Sequence, residues 1–126
     1  MDEKAVLKFV AEMPGACYDY PFEEDFETAV FRHKDTKKWF GILLAAPGTY
    51  CGCEGRANVR VINVKTPPDL SVILRENYTG ILPAYHMNKT HWISIVLQSD
   101  VEEDEIRKLL TLSFDLTKNR RKHEGL

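Results

Sequence analysis

Residues 84–95 read AYHMNKTHWISI, which brings two imidazoles, a lysine ammonium, a carboxamide and two aromatic rings into twelve positions. Imidazoles move protons near neutral pH or donate hydrogen bonds. A lysine or an asparagine at an exposed turn reaches phosphate oxygens. Asn88 and Lys89 would then form a contact tip, with His86 and His91 as neighbouring donors. The same residues also fit a purely architectural role. Asn88 can supply the turn conformation, Tyr85 and Trp92 can pack on a sheet, and the histidines can bond to backbone.

Other residues carry competing chemistries. Arg56 and Arg60 flank the start of one apolar run and Lys65 ends it, which suits either a second phosphate-contacting edge or edge charges that block aggregation. The segment KNRRKHEG carries four bases in five residues, favourable in any case at a helix C-terminus. Tyr20, Phe22, Trp39, Tyr85 and Trp92 could instead line a pocket for a planar aromatic compound. Cys51-Gly52-Cys53 places two thiols in one loop, but structural zinc needs a second Cys or His pair at fixed spacing, and none is visible. Inert thiols, no metal and no cofactor are expected. The chain lacks G-x-S-x-G, P-loop, H-E-x-x-H and G-x-G-x-x-G patterns. The carboxylates of FEEDFE read as a solvated face, so a non-enzymatic protein is expected.

The elements that must position these residues follow from hydrophobic period. Ala5, Val6, Phe9, Val10 and Met13 recur at helical spacing before Pro14-Gly15, giving a helix over about residues 2–13. Residues 18–27 have no clear period and read as an acidic, aromatic loop. TAVFRH and KWFGILLA around the polar turn KDTK form a hairpin, and the continuous apolar run marks a central strand. APGTYCGCEGRAN is a loop and VRVINV a third strand. Thr66-Pro67-Pro68-Asp69 opens a second helix, with Thr66 as cap, and Gly80 closes it. ILPAYHM and HWISIVL flank Asn88-Lys89-Thr90 as a second hairpin. Asp100-x-x-Glu103 resembles a capping box before a last helix through Ile106, Leu109, Leu110 and Phe114 to about Lys118. The order α-β-β-β-α-β-β-α implies an α+β two-layer sandwich with helices packed on an antiparallel sheet.

Composition sets the outer bounds. At 126 residues the chain fits one domain over 1–126, and 44% hydrophobic content with 29% charged is ordinary for a globular fold. The formal net charge is −2, far from the basic footprint common in nucleic-acid binders. Residues 1–63 carry ten acids and eight bases and residues 64–126 nine of each, so neither half stands apart. The absence of a long apolar run and of a secretory pattern in MDEKAVLKF leads to the expectation of a cytoplasmic protein without membrane contact. The oligomeric state stays open.

AVFRHKDTKKWFGILL, VINVKTPPDLSVIL, LPAYHMNKTHWISIVL and LLTLSFDLT, in that order, make the chain resemble the MmcQ/YjbR family of small bacterial proteins. The YHMNKTHW block is the most specific piece. The resemblance implies a fold like that of secretion chaperones with a five-stranded antiparallel sheet. It also implies the family's proposed role in DNA binding through two winglike projections, in a mitomycin-resistance context and with no established catalytic residues. Ala84 replaces a common glycine, Thr66 a common cysteine and Phe114 a common tyrosine, and the Cys51/Cys53 loop looks individual to this chain. DNA contact through His86, Asn88, Lys89, His91, Arg56, Arg60 and Lys65 is therefore the leading expectation. A small aromatic ligand and a chaperone-like protein-interaction module are the alternatives.

Overall fold

The computed structural model describes residues 1–118. The KNRRKHEG segment falls, from Asn119 on, outside those residues. The elements run α1 (Glu3–Glu12), β1 (Ala16–Asp19), β2 (Ala29–His33), β3 (Trp39–Pro47), β4 (Asn58–Lys65), α2 (Pro68–Asn77), β5 (Ile81–Pro83), β6 (Trp92–Val96) and α3 (Glu103–Leu116). The strands form one antiparallel open sheet in the order β1-β2-β3-β4-β6-β5. The α+β class and the order of the longer elements agree with the sequence reading, but the sheet has six strands where five were expected.

The additional strand is β1, which pairs Ala16–Asp19 with Val30–His33 inside what read as the approach to a loop. Four residues give too few alternations for a period to register, and such short strands suit a sheet edge. Both expected helix caps also differ. Thr66 is buried and shares a hydrogen bond with Ser71 (Oγ1···Oγ, 2.5 Å), while Pro67 stands at the N-cap of α2. Asp100 accepts from the backbone N–H groups of Thr79 and Gly80 (both 2.8 Å), and Glu102 stands at the N-cap of α3. Thr66 thus bonds a side chain of α2 itself rather than its first backbone N–H groups, and Asp100 is taken by the remote backbone of Thr79 and Gly80.

The helices cover one face of the sheet. Val6 and Val10 of α1, Leu74 of α2 and Ile106, Leu109 and Leu110 of α3 pack with Phe31, Phe40, Leu43, Ile62, Val64, Ile93 and Ile95. Alternation along the strands sends Val59, Val61 and Val96 to the opposite face, where they meet Ala46 and Cys51 in a smaller cluster with Tyr50 and Tyr85 packed against it. The loop between β3 and β4 thus roofs part of the second face. The helix-side cluster holds most of the buried apolar residues, and apolar burial is worth about 25 cal/mol per Å².

The pairing of β2 with β3 contains one irregularity, and it decides where a tryptophan points. β2 pairs Phe31 with Gly41 but Arg32 with Trp39, so Phe40 is an extra residue in the β3 register. Phe40 packs on the helix side, and Trp39 is turned to the opposite face, where the Arg32 guanidinium lies 5.7 Å from its ring centroid. The bulge also parts β3 from β4. Beyond Gly41↔Val64, the Ser113 hydroxyl of α3 bridges the two strands, donating to Phe40 O (2.5 Å) and accepting from Lys65 N–H (2.8 Å).

Candidate functional site

Residues 84–91 form a loop rather than the extended ends of two long strands, because β5 stops at Pro83 and β6 begins at Trp92. Asn88 organises this loop. Its Oδ1 accepts from the N–H groups of Thr90 (2.9 Å) and His91 (3.0 Å), and its carbonyl accepts from Trp92 N–H (3.0 Å). That is the architectural role, filled by an Asx turn. Lys89 is exposed and its Nζ donates back to Ala84 O at 2.8 Å. His86 has φ +65°, a left-handed conformation uncommon for a residue with a Cβ, and its exposed ring lies 3.9 Å from that of Tyr85.

A buried polar network fastens this loop to the sheet. Ser94 Oγ donates to Asn63 Oδ1 (2.5 Å) and accepts from Tyr85 N–H (2.8 Å), while Asn63 Nδ2 donates to Tyr85 O (2.8 Å). Asn63 and Ser94 are fully buried cross-strand neighbours. The Tyr50 hydroxyl adds a bond to Pro83 O (2.5 Å). Neither Asn63 nor Ser94 stood out in the sequence, although each is a polar residue inside an apolar run, and that was the available signal.

The structure separates the other expected contact residues. β4 spans eight residues, so at about 3.3 Å per residue its ends lie roughly 23 Å apart. Arg56 and Arg60 sit at one end, Lys65 at the other with the 84–91 loop. Arg60 faces the helices, where it pairs with Glu3 (2.9 Å) and donates to Glu27 O. Lys65 faces away from the helices, opposite Trp92. The seven expected residues therefore do not make one patch: His86, Asn88, Lys89, His91 and Lys65 are together, whereas Arg56 and Arg60 are apart from them.

The Lys65 end gains lysines that read as an ordinary turn. The β2–β3 turn carries exposed Lys34, Lys37 and Lys38 there, with Lys37 also left-handed at φ +65°. Lys118, at the end of α3, pairs with Asp115 at 3.1 Å. Glu12, Asp35, Asp69 and Asp115 share this end. At the opposite end lie Asp25 and Glu27 of the β1–β2 loop, Glu54 of the β3–β4 loop, Asp100 and the Glu102–Glu105 run that opens α3, against Arg56 and Arg60, while Glu23 and Glu24 follow Phe22 beside Trp39. Hydrogen bonds from Thr28 and from the backbone of Glu27 hold the Asp25 carboxyl below its ordinary range. The molecule is thus polarised along its strands, despite a net charge of only −2.

The five aromatic residues considered as a pocket lining fall into two groups, Tyr20, Phe22 and Trp39 in one, with Tyr85 and Trp92 apart from it. Phe22 meets Trp39 edge-on at 6.3 Å, Tyr20 meets Tyr18, and Tyr85 meets Tyr50. Tyr20 and Phe22 instead line an open hollow of about 790 Å³ with Pro21, Glu23, Glu24 and Phe26, next to Trp39. Cys51 is buried under the β3–β4 loop, and its burial, with the neighbouring Cys53, pushes the thiol above its ordinary pKa. Among the described residues, no three His, Cys, Asp or Glu side chains converge as a metal site would require. Among the same residues no helix is long and apolar enough to cross a membrane.

The sequence matches the YjbR family over residues 11–116. It is 42% identical to the uncharacterised protein YyaQ of Bacillus subtilis over 113 residues, covering 90% of this chain and 95% of that one. A crystal structure of a Pseudomonas syringae protein superposes with a TM-score of 0.86 at 37% identity, covering 94% of this chain and all of that one. A Deinococcus radiodurans structure shares the fold at a TM-score of 0.72 and 23% identity, covering 96% of this chain and 83% of that one.

Proposed function

The chain belongs to the YjbR family, and from that premise we propose that it is a non-enzymatic DNA-binding protein that takes phosphates at its basic pole. Lys37 and Lys38 contribute from one turn, Lys65 from the end of β4, and Lys89 from the 84–91 loop, with His86 and His91 as further donors. The observation that carries this reading is the segregation of charge along the strands. With a screening length of about 8 Å at physiological salt, an acidic pole roughly 23 Å away opposes a phosphate at Lys65 very little. Net charge is therefore the wrong measure of this surface. The two turns are three strand spacings apart, about 14 Å, and Lys65 lies between them.

Binding titrations across a salt series test the assignment. With four lysine contacts, log K should fall against log salt with a slope near −3.6 on duplex DNA, and a Lys65→Ala or Lys37→Ala variant should reduce its magnitude by about 0.9. Arg56→Ala should leave the slope unchanged. No complex with either duplex or single-stranded DNA at about 50 mM salt, or equal losses for Arg56→Ala and Lys65→Ala, would overturn the reading. A second reading rests on the hollow beside Phe22, whose mixture of rings and carboxylates suits a cationic planar compound. Saturable, Phe22-dependent uptake of such a compound without DNA binding would favour it.

A further inference from the structure

Two tryptophans stand on the sheet face away from the helices, at the basic pole. Trp39 is turned there by the β3 bulge, and Trp92 by alternation with the buried Ile93. Both are half-buried, and among the described residues neither belongs to either hydrophobic cluster. Lys65 lies between them on β4, directly opposite Trp92. Trp39 and Trp92 belong to strands two spacings apart, so their backbones are separated by about 10 Å. Arg32, ion-paired to Asp19 at 2.8 Å, and the edge-on ring of Phe22 hold Trp39 in place.

A ring that is neither core nor fully solvated, beside a cation with exposed lysines on both sides, offers two kinds of contact at once. The lysines suit a phosphate chain of either form. The indoles offer nothing to a duplex, whose base faces are already stacked on each other. An unpaired strand, by contrast, can lay successive bases on aromatic side chains while its phosphates follow a basic track. We propose that the Trp39–Lys65–Trp92 stripe binds single-stranded nucleic acid, stacking its bases on the two indoles with a phosphate on Lys65. The inference rests on the basic-pole reading and narrows it to an unpaired substrate.

The test uses the full chain and three labelled probes of equal length at about 50 mM salt: a single-stranded DNA, its duplex, and an abasic single strand with the same phosphates. The single strand should bind tightest. Trp92→Ala and Trp39→Ala should each weaken it by about five- to 150-fold, the range for removing one stacked base, while affinity for the abasic strand stays unchanged. Trp92→Phe keeps a ring and should retain most of the affinity, which guards against a variant that simply misfolds. Tryptophan fluorescence should be quenched by the single strand and not by the abasic one. Equal or tighter binding of the duplex, or equal binding of the abasic strand, would overturn the stacking inference and leave the phosphate reading standing. Failure of all three probes to bind would overturn both.

Discussion

Replacing Ser94 by alanine removes one hydroxyl and should unfasten the 84–91 loop from the sheet. In the native protein that hydroxyl serves two buried partners, donating to Asn63 Oδ1 and accepting from Tyr85 N–H. Ser94→Ala leaves the Tyr85 N–H without an acceptor and Asn63 Oδ1 without its donor. An unsatisfied buried group costs about 1–3 kcal/mol, so the pair should cost about 2–4 kcal/mol after partial relaxation. For a chain of this size each kcal/mol is worth about 4 °C in melting temperature, giving a fall of roughly 8–16 °C. Asn63→Ala should cost a similar amount, and because both changes break the same network, the double variant should cost clearly less than their sum. Chemical denaturation with a double-mutant cycle measures both quantities. A Ser94→Ala loss below about 0.5 kcal/mol, the level of a neutral surface change, or strict additivity, would refute the claim that this network fixes the loop.

Two further outcomes are expected. Burial holds the His33 imidazole below its ordinary pKa of 6.5, with Lys38 and Lys118 acting in the same direction and Asp35 opposing. The unfolded chain therefore binds this proton first, so His33 should contribute stability that is complete above pH 6.5 and is lost as pH falls through the lower folded value. Thermal melts of the native protein and His33→Gln across pH 7.5 to about 5 should converge toward acid; a difference that grows as pH falls would contradict the assignment. Trp92→Ala should cost about 1–2 kcal/mol, well short of the 3–5 kcal/mol of a fully buried ring, because the indole lies outside both clusters. Lys89→Ala should stay within about 0.5 kcal/mol, and equal losses for the two in urea would show the loop to be packed otherwise.

Helices and long strands were legible because each repeats its apolar residues over several periods. Val6 and Val10, or Ile106, Leu109 and Leu110, announce a buried stripe wherever the helix finally docks. β1 was not legible, since ACYD alternates too briefly. The caps failed for a different reason. Thr66 and Asp100 have the right chemistry for a helix start, but Thr66 is engaged by the Ser71 hydroxyl five residues on, inside α2, and Asp100 by the remote backbone of Thr79 and Gly80. Arg60 was misread in the same way. Its partners Glu3 and Glu27 are remote in sequence, so a half-buried structural guanidinium looked like an available phosphate ligand.

The basic pole is invisible to any count of charge along the chain. In an antiparallel sheet successive connections leave from alternate ends, so charges at one pole come from every second turn. The acidic β1–β2 loop is followed by the lysine-rich β2–β3 turn; the β3–β4 loop with Glu54 is followed by Lys65; the 84–91 loop is followed by the acidic start of α3. Any contiguous window averages both poles, which is why residues 1–63 and 64–126 differ so little in charge. Summed instead over alternate connections, the same residues separate into an acidic and a basic end. The proposed set of phosphate contacts changes accordingly: Lys65 and Lys89 stay, Lys37 and Lys38 join, and Arg56 and Arg60 leave. A salt slope that responds to Lys37 and ignores Arg56 would be the electrostatic signature of that arrangement.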